Sequence, residues 1–111
     1  MEFIQLEKNM REAVNKIEEI GSQLATAKGI SYQMQKQREV VLAKLAKNFV
    51  GSMASREMEA KATDRYMEHI IGTGEAIEIE ARLKAQYCRW QAQYESCRSL
   101  LSMEKAKTNI R

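Results

Sequence analysis

The sequence predicts an all-α protein built from two long antiparallel helices. The chain of 111 residues contains no proline, which is the strongest helix breaker, and is rich in good helix formers such as Ala, Glu, Lys, Gln, Arg and Met. Large apolar side chains recur at the three- and four-residue spacing of a single helix face. One short break, at residues 50–55, separates two such patterns. These observations predict a coiled-coil-like helical hairpin.

The first helix is predicted over about residues 2–49. Its seven-residue pattern places apolar side chains at two positions of each heptad, which is typical of a coiled-coil seam. Gly21 and Gly29 lie inside this pattern, and we expect each to mark a bend or a close helix contact. The seam comprises Phe3, Met10, Ile17 and Leu24 at one position and Leu6, Ala13, Ile20 and Ala27 at the other.

A connector with a short helix is predicted over about residues 50–62. Gly51 suits the C-cap of the first helix, because glycine readily adopts the conformation that ends a helix. Ser52 or Ser55 suits the N-cap of the short helix, since a serine side chain accepts a backbone N–H bond there. The short helix is expected at residues 56–62.

The second long helix is predicted over about residues 64–107, with Thr63 and Asp64 as its cap. Its apolar residues follow one another in steps of four, three, four, three and four, which is the spacing of one helix face. The first helix is expected to fold back and cover this stripe. The stripe comprises Leu83, Tyr87, Trp90, Tyr94, Cys97 and Leu101.

The distribution of charge favours the antiparallel arrangement. Counting Lys and Arg against Asp and Glu, residues 1–20 carry −2, residues 28–56 carry +5, residues 57–80 carry −5 and residues 82–111 carry +5. In an antiparallel hairpin each acidic segment faces a basic one, and a parallel arrangement loses this match.

The whole chain, residues 1–111, is predicted to be one domain that dimerises. A lone pair of helices buries little surface, so a chain of this size usually needs a further partner. Seven methionines and several apolar residues outside the seam predict a second apolar face and a four-helix assembly. These additional residues are Ile4, Val14, Val40, Leu42, Ile79 and Leu100.

No pattern in the chain specifies catalysis, a metal or a cofactor. His69 is the single histidine, and the acidic residues around it lack the spacing of metal ligands. Cys88 and Cys97 are nine residues apart on one predicted helix, so they point to opposite sides and cannot pair. We interpret both as small buried residues. No signal peptide and no apolar run of about 18 residues is found, so a cytoplasmic protein without membrane association is expected.

Basic residues in the last helix are candidate contacts for nucleic acid or for a protein partner. They alternate with aromatic residues, and basic side chains beside aromatic rings are typical of proteins that bind single strands. The alternative is that the aromatics form the core and the basic residues a solvated face, which the regular aromatic spacing favours. The same ambiguity applies to a second cluster, Lys36, Arg38, Lys44 and Lys47. The candidate contacts are Arg82, Lys84, Arg89, Arg98, Lys105 and Lys107.

Three short motifs in residues 53–106 carry a resemblance. Ser55-Arg56-Glu57 corresponds to a Ser/Ala-x-Arg-Glu element, Tyr66 starts a Tyr-x-x-His/hydrophobic element, and a Trp/Phe-x-x-x-x-Glu-x-x-Arg-Ser motif begins at Trp90. Together they resemble a group of short helical proteins of tailed phages and prophages, whose genes often lie beside those of single-strand annealing recombinases. The further marker residues of the resemblance are Ala60, Ala76, Glu95, Arg98, Ser99 and Ala106.

The resemblance implies a non-enzymatic phage or prophage accessory protein that acts by binding in a bacterial host. Our first hypothesis is a dimer that binds an unidentified protein in phage DNA recombination or replication. The second is direct binding of single-stranded nucleic acid, and the third is inhibition of a host nuclease or defence complex. Glu95 and Arg98 are expected to form an ion pair along the helix.

Overall fold

The computed structural model describes residues 3–109, and within that range it contains three α-helices and no β-strand. Helix α1 spans Phe3–Ala46, α2 spans Met53–Lys61 and α3 spans Asp64–Asn109. The predicted all-α hairpin, with two long antiparallel helices and a short helix at the connector, is confirmed. Glu2, where the sequence pattern placed the start of the first helix, lies outside the described residues.

The end of α1 differs from the sequence prediction. The helix ends at Ala46, and the next turn is closed by the N–H groups of Asn48 and Phe49, which donate to the carbonyls of Leu45 and Ala46 at 3.1 Å. These bonds join residues three apart, whereas those of an α-helix join residues four apart, so the chain forms a tighter turn after α1. Gly51 lies in the connector rather than at the C-cap, and its φ of 126° is a conformation that favours glycine.

Side-chain caps fix where α2 and α3 begin. The Ser52 hydroxyl accepts the N–H of Ser55 at 3.2 Å, so α2 begins at Met53, three residues before the predicted start. The Thr63 hydroxyl accepts the N–H of Tyr66 at 3.2 Å in the same way. The sequence therefore located the cap of α3, left the cap of α2 open between Ser52 and Ser55, and placed the first turn of α2 outside the helix.

The chain forms two compact units. The first combines the part of α1 up to Ala25 with the part of α3 from Arg82 onward, and the second comprises Thr26–Ala81. The single-domain assignment stays a prediction.

The first unit has a core formed by the predicted seam. Gly21 lies against Tyr87: a Cβ at Gly21 would be 3.3 Å from the Tyr87 ring, so this glycine marks a close helix contact as expected. Cys97 is the buried member of the α3 stripe, and the remaining members, Trp90 among them, are half-buried. The buried side chains of this unit are Leu6, Ala13, Ile20, Leu24 and Cys97.

The second unit has a core of small residues and one tyrosine. Met34 of α1 contacts α3 at Gly72, where an added Cβ would be 3.1 Å from the Met34 Cε atom. Arg38, further along α1, bonds to Tyr66, which comes earlier in α3, so the two helices run antiparallel here as well. The buried side chains are Ala27, Ser31, Ala60, Tyr66 and Ala76.

Candidate functional site

The six basic residues predicted as contacts are all exposed, but they do not share one face of α3. Residues seven or eighteen positions apart lie on one side of a helix, because both spacings are close to a whole number of turns. The six therefore divide into two rows on either side of the apolar stripe. One row is Arg82, Arg89 and Lys107, and the other is Lys84, Arg98 and Lys105.

Several of these basic side chains interact with neighbours on their own helix. Arg98 pairs with Glu95 at 2.9 Å, which confirms the expected ion pair, and Lys107 lies 3.6 Å from a Glu104 carboxylate oxygen. The Arg89 guanidinium lies 5.9 Å from the centroid of the Trp90 ring. Exposed pairs of this kind are worth about 0–1 kcal/mol, so they leave the charges available to a ligand.

The first unit carries an apolar groove between α1 and α3. Two clefts of about 480 and 470 Å³ share Tyr94 in their walls. Polar side chains line their edges, including Glu7, Arg11 and Asn15 beside the first cleft. We call the large apolar residues that line either cleft the unit 1 groove. It comprises Met10, Val14, Ile17, Tyr94 and Leu101.

The residues of the unit 1 groove remain accessible even though most belong to the predicted core. Met10, Ile17, Tyr94 and Leu101 are half-buried, and Val14 is 39% exposed. Met10, Val14 and Ile17 follow at steps of four and three, which aligns them along one side of α1. The sequence predicted a second apolar face that included both Val14 and Ile4. Val14 lines the first cleft, whereas Ile4 is 76% exposed and lines neither cleft.

The second unit contains a polar cleft to which all three helices contribute. It has a volume of about 530 Å³, and we call it the three-helix cleft. Helix α1 contributes most of its lining, while Lys61 comes from α2 and Tyr66 from α3. Lys36 and Arg38 belong to the second basic cluster in the sequence, but no linear pattern brings Lys61 beside them. The lining residues are Gln35, Lys36, Arg38, Glu39, Leu42, Lys61 and Tyr66.

Hydrogen bonds hold two side chains of the three-helix cleft. Arg38 Nε donates to the Tyr66 hydroxyl at 3.2 Å, and this bond raises the pKa of the Arg38 guanidinium above its usual value. Arg38 is a cation at physiological pH, as arginine side chains in proteins are. Gln35 Nε2 donates to the buried Ser31 hydroxyl at 3.0 Å.

His69 of α3 packs against α1. His69 is half-buried, and its Nε2 lies 3.1 Å from the carbonyl oxygen of Met34, so this side chain has a packing role.

Cys97 is buried as expected, whereas Cys88 is exposed, which corrects the prediction that both are buried. The nine-residue spacing explains this outcome, since it places Cys88 on the helix side opposite the core. Within residues 3–109, no three His, Cys, Asp or Glu residues are grouped to hold a metal.

The connector and α2 expose apolar side chains at the surface of the second unit. Val50, Met53 and Met58 are 93%, 70% and 74% exposed. Nearby, Arg56 Nε is buried with no hydrogen-bond partner among the described residues.

No family model, curated protein or solved structure matches this chain. None of the helices in the described part of the chain combines the length and the apolar character needed to cross a membrane.

Proposed function

We propose that this protein is a non-enzymatic accessory protein of a phage or prophage that acts by protein–protein binding. The observation that carries the proposal is the unit 1 groove, an accessible apolar surface with a polar edge. The phage setting, the cytoplasm of a bacterial host and a role in DNA recombination or replication rest on the resemblance over residues 53–106.

The unit 1 groove suits an amphipathic helix as its occupant. Two helices that lie side by side leave a furrow, and a third helix fills it with side chains spaced three and four residues apart. Met10, Val14 and Ile17 provide one wall and Tyr94 and Leu101 the other. Tyr94 suits the centre of such an interface, because tyrosine is enriched at the few positions that contribute most of the free energy of protein binding.

We propose a second copy of the chain as the occupant of the unit 1 groove. The chain exposes 8499 Å², whereas a compact monomer of 12.8 kDa is expected to expose about 6,300 Å². The difference of about 2,200 Å² for one chain exceeds the roughly 800 Å² that each partner contributes to an interface of standard size, so the chain has enough apolar and polar surface for a second copy to cover. A dimer built through the groove gives the predicted four-helix assembly.

The connector surface, defined by Val50, Met53 and Met58, is proposed to bind the partner protein. Exposed methionines suit this role because their flexible, polarisable side chains adapt to different surfaces. This surface belongs to the second unit, so self-association through the first unit does not use its residues.

Site-specific photo-crosslinking tests both binding surfaces. A photoreactive phenylalanine analogue is placed at Val14, at Met53 or at Ile4, which is a 76% exposed control outside the groove. In cells that carry the gene, Val14 is expected to crosslink to a second copy and Met53 to a different protein. The absence of any crosslink above the Ile4 background at both positions would overturn the proposal.

A second candidate function is direct binding of single-stranded nucleic acid, which one row of α3 favours. Arg82, Arg89 and Lys107 align along the helix, and Arg89 lies over Trp90. Such a row contacts phosphates spaced along a strand.

Titration of a labelled single-stranded oligonucleotide at two salt concentrations tests this second candidate. Each phosphate contact adds about 0.7 to the slope of log affinity against log salt. Replacing Arg82 and Arg89 together by Gln is expected to lower the slope by about 1.4, while Lys8→Gln leaves it unchanged. Equal slopes for all three proteins, or no binding, would exclude this row as the contact.

A further inference from the structure

We propose that the three-helix cleft binds the phosphate group of a phosphorylated ligand. This inference is independent of the protein-binding proposal, because it concerns a different surface in the second unit. It starts from the chemistry of the lining. Lys36, Arg38 and Lys61 provide three cations, and Glu39 is the single acidic residue among the lining side chains.

The charge of the cleft matches a dianion. Three positive side chains and one negative side chain leave a formal charge of +2 around about 530 Å³. Phosphate monoesters carry a charge close to −2 at neutral pH. Arginine and lysine are the usual phosphate ligands, since a guanidinium supplies two parallel N–H bonds and an ammonium a mobile point charge.

Two donors are held in place before any ligand arrives. Tyr66 is only 6% exposed, so its ring is fixed in the core while its hydroxyl reaches the cleft. That hydroxyl accepts the Arg38 Nε–H, which orients the guanidinium and leaves the Tyr66 O–H able to donate. Donors that are already ordered lose less conformational entropy on binding than free side chains do.

The remaining lining suits a ligand larger than a phosphate ion. The volume lies in the range of about 300–1,000 Å³ found for small-molecule sites. Leu42 gives the cleft an apolar wall beside the basic side chains. The phosphate has two candidate sources, and the experiment separates them: a free mononucleotide, whose monoester matches the charge of the cleft, and the backbone of a nucleic acid, whose phosphodiesters carry one negative charge each.

The test is NMR titration of the full chain with inorganic phosphate, with AMP and with a short single-stranded oligonucleotide. The Arg38 Nε–H signal reports on the cleft, because this group bonds to Tyr66. Lys61→Gln removes one cation, Glu39→Gln removes the acidic residue, and Lys28→Gln is the control at an exposed lysine outside the cleft. Circular dichroism establishes that each variant is folded.

We expect AMP to shift the Arg38 signal and Lys61→Gln to weaken its binding about tenfold, as loss of one charged hydrogen bond implies. Glu39→Gln should tighten binding, and Lys28→Gln should leave it unchanged. Preference for AMP identifies a free phosphorylated compound as the source, and preference for the oligonucleotide identifies a nucleic-acid backbone. The proposal is overturned if no probe shifts the Arg38 signal, or if Lys61→Gln and Lys28→Gln have equal effects.

Discussion

At the scale of single residues, two glycines of α1 have different surroundings. A Cβ added at Gly29 meets no atom within 4 Å, whereas one added at Gly21 would be 3.3 Å from the Tyr87 ring. Alanine stabilises a helix interior by about 1 kcal/mol relative to glycine. Gly29 therefore has no packing role that offsets this preference. Gly21 does have such a role, because it lies against the Tyr87 ring.

We predict that Gly29→Ala raises the free energy of unfolding by about 1 kcal/mol. Gly21→Ala should gain less or lose stability, because the Tyr87 ring must move to admit the methyl group. Urea unfolding followed by circular dichroism measures both changes. Equal stabilisation by the two substitutions would show that Gly21 does not mark a close contact.

Sequence patterns predicted these residue environments only in part. The stripe of α3 identified Cys97 as buried, because periodicity reports which face of a helix turns inward. Periodicity does not report how completely a neighbouring helix covers that face, so Trp90 and Tyr94 emerge as half-buried. The exposure of Cys88 follows from the same helical geometry that separated the two cysteines, and was available from the sequence.

At the scale of elements, the beginning of α2 depends on one serine side chain. The Ser52 hydroxyl accepts the Ser55 N–H, whereas Ser55 contributes its backbone to that bond. We predict that Ser52→Ala lowers the free energy of unfolding by about 1 kcal/mol and that Ser55→Ala has little effect. Urea unfolding of the two variants provides a matched comparison. A larger loss for Ser55→Ala would place the cap at Ser55, as a helix that starts at residue 56 requires.

The elements themselves were largely predictable from the sequence, and the sites between them were not. Absence of proline, apolar periodicity and the cap residues predicted three helices close to their observed bounds. The three-helix cleft combines Lys36, Lys61 and Tyr66, which are distant in sequence. Only the packing of three helices brings such residues together, so local spacing contains no signal for the site.

At the scale of the whole molecule, the proposed function depends on self-association through the unit 1 groove. The buried side chains are few and several are alanines, so the hairpin leaves apolar surface exposed in both units. Val14 is the best position to test, because a charge there enters the unit 1 groove without replacing a fully buried side chain. Ile4 provides a control that is apolar, more exposed and on the same helix.

The most direct measurement is the mass in solution, by light scattering during size-exclusion chromatography, of the unmodified protein, Val14→Glu and Ile4→Glu. We predict twice the chain mass of 12.8 kDa for the unmodified protein and for Ile4→Glu, and the mass of a single chain for Val14→Glu. A buried, unpaired carboxylate at the groove costs enough free energy to separate the copies. A single-chain mass for the unmodified protein, or equal dissociation of both variants, would contradict the proposed role of the groove.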